Sequence, residues 1–132
     1  MTKVVARFAD GRIVKGGTND FIPAKDRFHV ALAQTPGSSG TTEILTRDLK
    51  AVFFVKDFAG DPQREERKEF DPSRPPAGRK IRVRFLDGEL MVGTTQGYQP
   101  GRSGFFLLPA DPQSNNERCY VVSSATQEIA FI

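Results

Sequence analysis

The sequence predicts an all-β fold: two tandem, small, five-stranded barrels from an internal duplication, packed together. Three observations predict it. The chain matches itself without a gap at an offset of 77 residues, Lys3 to Val55 against Lys80 to Ile132, and Arg7-Phe8-Ala9-Asp10-Gly11 is echoed as Arg84-Phe85-Leu86-Asp87-Gly88. The apolar residues are mostly Val, Ile, Leu and eleven Phe, types that fit a pleated, half-buried surface. Short apolar stretches are punctuated by Asp-Gly, Pro and Ser/Gly clusters at strand spacing.

In the first half, Val4, Ala6 and Phe8 alternate with Lys3, Val5 and Arg7, the period of a half-buried strand. Asp10-Gly11 supplies a tight turn, because Gly tolerates positive φ and Asp bonds its own backbone. Arg12 to Thr18 returns as a second strand. Gly16, repeated as Gly93, marks a bulge or sharp bend. Phe21 to Arg27 is a turn-rich connection around Pro23, and Phe28 to Ala33 is the third strand. Gln34 to Gly40 is a loop tip. Glu43 to Thr46 is a short fourth strand, Arg47-Asp48-Leu49 a single tight turn, and Lys50 to Lys56 the fifth strand.

The second half repeats this order over Ile81 to Leu86, Glu89 to Thr95, Gly104 to Leu108, Arg118 to Ser123 and Gln127 to Ile132. Inward positions agree between halves: Val4/Ile81, Phe8/Phe85, Ile13/Leu90, Phe28/Phe105, Ile44/Val121, Val52/Ile129 and Phe54/Phe131. Residues 1–56 therefore form one barrel and 80–132 the other. A module this small buries only about 60% of its unfolded surface, so the two should pack on each other or on another chain. Residues 57–79 form a charged, Pro-rich connector. Phe58 and Phe70 are anchors that a plain linker does not need, so it is expected to be partly ordered, with a helical turn at Pro62 to Lys68.

Composition narrows the function. No run approaches the ~20 apolar residues of a membrane span, and no leader pattern precedes the first strand. The single cysteine, Cys119, excludes an internal disulfide and suits a reducing, cytoplasmic setting. The net charge of +3 is uneven: residues 1–56 carry nine Lys/Arg against five Asp/Glu, residues 57–79 five against six, and residues 80–132 five against five. The basic excess lies in the first half, where it is either a solvated surface or a hold for phosphate-rich partners.

Two resemblances bear on this reading. Phe8-Ala9-Asp10-Gly11-Arg12, Gly16, Phe28-His29-Val30-Ala31-Leu32 and Arg47-Asp48-Leu49 resemble an Sm-like protein, and the strand order suits an SH3-like or Sm-like barrel. The resemblance implies rings and single-stranded RNA binding. The RNA pocket of that family commonly uses Asp-x-hydrophobic-Asn, and here the region reads Asp26-Arg27-Phe28-His29. The last-loop Arg-Gly is replaced by Arg47-Asp48, and by Ser124-Ala125 in the second half. The whole chain is also similar to an uncharacterised bacterial domain family, on Leu49 to Lys56, Gly104 to Pro112 and Ser114-Asn115-Asn116. That similarity implies a regulatory or adaptor setting beside PilZ-type signalling modules. The PilZ signature itself is not met: Arg64-x-x-Arg67 has the wrong spacing, and Asp71-Pro72-Ser73 lacks the following Gly.

No P-loop, dinucleotide-binding glycine fingerprint or nucleophile elbow is present, so no enzyme and no cofactor or metal is expected. His29 lacks partners at metal spacing and reads as a surface residue. Cys119 reads as a strand thiol. Two constellations remain. The Pro109 to Arg118 loop gathers Asp111, Asn115, Asn116 and Arg118, with Arg102 nearby; it is either a self-bonded turn or a binding loop. Lys80, Arg82 and Arg84 alternate onto one strand face, and either pair with Glu65, Glu66 and Glu69 or receive an acidic partner. The favoured expectation is a non-catalytic interaction or adaptor module in a bacterial cytoplasmic signalling system, using these residues on another protein. The alternative is binding of RNA or a phosphate ligand, such as a cyclic dinucleotide, by Arg7, Arg12, Lys15, Lys25, Arg27 and Arg47 of the first half. An oligomer is compatible with either.

Overall fold

The computed structural model describes residues 1–33, 40–58, 70, 78–111 and 114–132. The chain is all-β. Its strands are β1 (Thr2–Phe8), β2 (Ile13–Thr18), β3 (Arg27–Leu32), β4 (Thr41–Leu45), β5 (Leu49–Val55), β6 (Arg79–Phe85), β7 (Leu90–Thr95), β8 (Gly104–Pro109), β9 (Asn116–Val122) and β10 (Thr126–Phe131). The expected helical turn at 62–68 and the glutamates at 65, 66 and 69 lie outside the described residues.

The strands do not close into two barrels. They form one open antiparallel sheet in the order β10-β6-β7-β8-β9-β5-β1-β2-β3-β4. The halves join through β5 and β9, with Val52 opposite Tyr120 and Phe53 opposite Cys119. Residues paired across neighbouring strands point to the same face. Val52 and Tyr120 belong to a core with Val4, Ala6, Phe28, Val30 and Ile44. Phe53 and Cys119 belong to a second core with Ile81, Val83, Phe85 and Leu107. The two cores therefore lie on opposite faces of the sheet, one under each half. At the centre both faces are covered, and all seven residues of β5 are buried.

Local geometry recurs at the 77-residue spacing. Gly11 and Gly88 take φ of 97° and 94° in the two Asp-Gly turns, a region that costs other residues strain. Asp10 Oδ1 accepts from Arg12 N–H at 3.0 Å, and Asp87 Oδ1 from Glu89 N–H at 2.9 Å. Ala9 N–H donates to Asp48 O and Leu86 N–H to Ala125 O. The expected tight turn after the fourth strand is a single 3-10 turn, Thr46–Asp48, and it too recurs, as Ser123–Ala125.

Three expectations need correction. Gly16 and Gly93 do not sit at bulges; the register shifts fall at Arg7/Phe8, Phe54/Val55 and Thr126/Glu128. The glycines instead permit close strand approach: a Cβ at Gly16 would lie 2.1 Å from Ala31 O, and one at Gly93 2.0 Å from Leu108 O. Ile13 is 46% exposed, because it flanks the turn rather than the core. Phe131 is 39% exposed on the outermost strand, its ring covered by the Arg79 guanidinium at 3.7 Å.

Candidate binding cleft at the seam

The β2–β3 connection sets the site. Phe21 turns inward there and meets four rings edge-on: Phe28 and Phe54 of its own half, and Phe106 and Tyr120 of the other, at centroid distances of 5.0 to 6.3 Å. This aromatic wedge brings the connection against β8 and β9. Between Pro23 and the end of β7 a cleft of about 460 Å³ remains. Phe106, Leu108 and Tyr120 floor it. Thr94, Thr95 and Gln96 form one wall, and Arg102 and Arg118 stand at its sides.

Arg118 is held by packing. Its guanidinium lies over Phe54 at 4.3 Å and over Phe106 at 4.7 Å. Arg102 rides on a turn closed by its own N–H to Gln99 O at 3.3 Å, next to Gly101 at φ 87°. Among the described residues no carboxylate pairs with either, whereas Arg12 and Arg82 each have one and Arg27 and Lys50 two. Thr95 Oγ1 is spent on Phe106 O at 2.8 Å, which fixes the wall to the floor.

The two sequence constellations share a face. Lys80 pairs with Thr94, and Thr94 with Leu108, so β6 presents Lys80 on the side of the sheet that holds the cleft. Arg82 and Arg84 alternate onto that same side, and all three are exposed. Arg82 is engaged by Glu128 at 3.2 Å, and Lys80 lies over the Phe70 ring at 4.9 Å.

The Pro109–Arg118 loop divides. Asp111 is buried, 2% exposed, so its carboxylate is not presented to a partner. Asn115 clamps the start of the connector: its Oδ1 accepts from Asp57 N–H at 3.0 Å and its Nδ2 donates to Asp57 O at 2.8 Å. Asn116 N–H bonds Ser114 Oγ at 3.1 Å. Of this loop, Arg118 alone reaches the cleft.

First-half cations are largely committed. Arg12 pairs with Asp10 at 2.9 Å, and Arg27 with Asp26 at 3.2 Å and Glu43 at 3.3 Å. Arg7 lies over Phe53, and Lys15 Nζ donates to Phe58 O at 3.1 Å. Lys25 and Arg47 are exposed, and Arg47 adds to the lowering of the Asp26 pKa that Arg27 dominates.

Two features were not anticipated. His29 is exposed, as expected, yet not alone: its Nδ1 meets Asp20 Oδ2 at 2.7 Å, and its Nε2 lies 3.4 Å from Glu43. The Asp20 hydrogen bond raises the imidazole pKa above its ordinary value. The backbone N–H of His29, followed by its ring, lowers that of Asp20. Lys50, nearly buried, crosses between halves to Asp87 at 2.7 Å and to Glu89, with Phe85 beneath it at 4.7 Å. The Lys50 ammonium, and then the Glu89 N–H, lower the Asp87 pKa. Cys119 is wholly buried, which keeps its thiol from solvent.

A family model matches residues 1–132, the whole chain. The chain belongs to a family of unknown function, DUF6982. No curated protein and no solved structure matches it. What this DUF6982 chain can do is therefore read from its own cleft and charges. No helix among its described residues is long and apolar enough to cross a membrane.

Proposed function

We propose that the chain is a non-catalytic interaction module that engages an acidic segment of a protein partner. The contact surface is the face carrying Lys80, Arg84, Arg102 and Arg118. The observation behind it is the gathering of these exposed cations on one side of the sheet, with no carboxylate on Arg102 or Arg118 among the described residues. From β6 to β9 is three strand spacings, roughly 14 Å, a reach suited to an extended acidic stretch. A bacterial regulatory setting is part of this reading because of the resemblance to signalling-associated domains, and a cytoplasmic one because of that resemblance and the lone cysteine. Recurrence of turns and hydrogen bonds at 77 residues supports two copies of one five-stranded unit as the origin of the sheet; that the unit is Sm-like rests on the sequence resemblance alone.

The test is a titration of isotope-labelled protein with an Asp/Glu-rich peptide, followed amide by amide. Shifts at Lys80 to Arg84 and at Arg102, lost on Arg102→Ala, support the module. The alternative, RNA or another phosphate ligand on Arg7, Arg12, Lys15, Lys25, Arg27 and Arg47, requires a short single-stranded RNA to shift the first half instead. Its affinity would fall by roughly one log unit per log unit of salt for each phosphate neutralised. The existing partners of Arg12 and Arg27 weigh against that alternative.

A further inference from the structure

We infer that the seam cleft is a small-ligand site for a flat ring that bears an oxyanion, the chemistry of a nucleoside monophosphate. The inference goes beyond the protein-binding module and does not depend on it. Three independent features carry it.

The first is place and size. Small-molecule sites favour seams between packed units and run about 300–1,000 Å³. The cleft, about 460 Å³, lies where the β2–β3 connection of one half meets β7, β8 and β9 of the other. The second is its floor. Leu108 is 40% exposed and Pro23 is exposed, so an apolar surface stands open to water beside half-buried Phe106, whose ring the Arg118 guanidinium covers. A ring laid on it removes that surface from water, and aromatic floors accept planar rings with little discrimination.

The third is the state of the cations. The Arg118 guanidinium lies over Phe54 and Phe106 before any ligand arrives, which restricts where it can go. A fork held this way loses little freedom on binding a phosphate or carboxylate. Arg102 adds a second guanidinium on the same cleft. Two forks suit a dianion, which favours phosphate over carboxylate. Among the described residues, Arg12, Arg27 and Arg82 are by contrast already paired, with Asp10, with Asp26 and Glu43, and with Glu128.

The experiment is a titration of the labelled full chain with adenosine 5′-monophosphate, adenosine, inorganic phosphate and indole-3-acetate, each at low and physiological salt. The expected result is a set of shifts at Thr94, Thr95, Gln96, Arg102 and Phe106 with the monophosphate, and weaker effects from adenosine or phosphate alone. Arg102→Ala, which removes an exposed side chain outside the core, should weaken the monophosphate roughly tenfold, the weight of one charge-assisted contact. Arg118→Lys, which keeps the charge but loses the planar fork, should weaken it as well. Stronger binding of indole-3-acetate at the same amides also supports the site and assigns its oxyanion to a carboxylate. The inference is overturned if neither ring-bearing anion moves these amides, or if inorganic phosphate reproduces every shift. Because the acidic peptide is titrated separately, its failure and the failure of the small ligand are told apart.

Discussion

Replacing Lys50 with Met tests whether the two halves are locked by charge as well as by packing. Methionine keeps most of the stem against Phe85 and removes the ammonium. The Lys50 side chain is 10% exposed, while those of Asp87 and Glu89 are 54% and 50% exposed. The carboxylates can therefore return to water, and the lost term is that of one or two charge-assisted hydrogen bonds, about 1–3 kcal/mol. Urea unfolding should show a lower midpoint at unchanged slope. The Asp87 carboxyl should titrate higher than before, although the Glu89 N–H still holds it down. The pH dependence has a definite sign. The folded pKa of Asp87 lies below its unfolded value, so its contribution is present above about pH 4 and is lost as pH falls through the folded pKa. The difference between wild type and Lys50→Met should shrink in acid. A stability loss under about 0.5 kcal/mol, with Asp87 titrating as before, would refute the lock.

Gly93→Ala drives a Cβ to 2.0 Å from Leu108 O, and backbone must move; unfolding should show a loss of about 1–3 kcal/mol or more, with Gly16→Ala behaving alike. Phe21→Ala removes the wedge between the halves and should cost about 3–5 kcal/mol by urea unfolding, while the Pro23 side of the cleft loses its anchor. NMR titration of His29 should give a midpoint above 6.5, returning towards it in Asp20→Asn. Because that pKa is raised on folding, the His29 contribution is complete below the unfolded imidazole pKa, while Asp20 stays ionised, and fades as pH rises through the folded one.

The turns were legible residue by residue. Asp-Gly at positions 10 and 87 dictates the first hairpin of each half, and its glycines take the positive φ expected. The strands follow their apolar patterns to within about two residues at most ends. The joining of the halves was less visible, although a signal existed. Ala51-Val52-Phe53-Phe54-Val55 and Cys119-Tyr120-Val121-Val122 do not alternate, which is the pattern of strands buried on both faces. Those two stretches are the paired central strands β5 and β9. By contrast, Thr41-Thr42-Glu43 and Gln127-Glu128 are polar and lie on the two outermost strands. The cleft could not be read in advance, because it needs Pro23 and Arg118 side by side, 95 positions apart. Phe21 looked like a loop residue, since nothing local shows that it faces four rings. The partner of Lys80, Phe70, and the exclusion of Asp111 are likewise consequences of folding at a distance.

The placement of the two cores on opposite faces of one sheet has a consequence for how the chain comes apart. The core under the second half contains Val5, Ala51, Phe53 and Val55 from the first, and the core under the first half contains Tyr120 and Val122 from the second. Each half thus lends the other part of its wall. Cutting the chain after residue 56 would strip Val5, Ala51, Phe53 and Val55 of their cover, and would leave Tyr120 and Val122 bare on the other fragment. Neither piece owns a complete interior, so the chain should melt in a single step, and its parts should be recoverable as folded matter only when mixed.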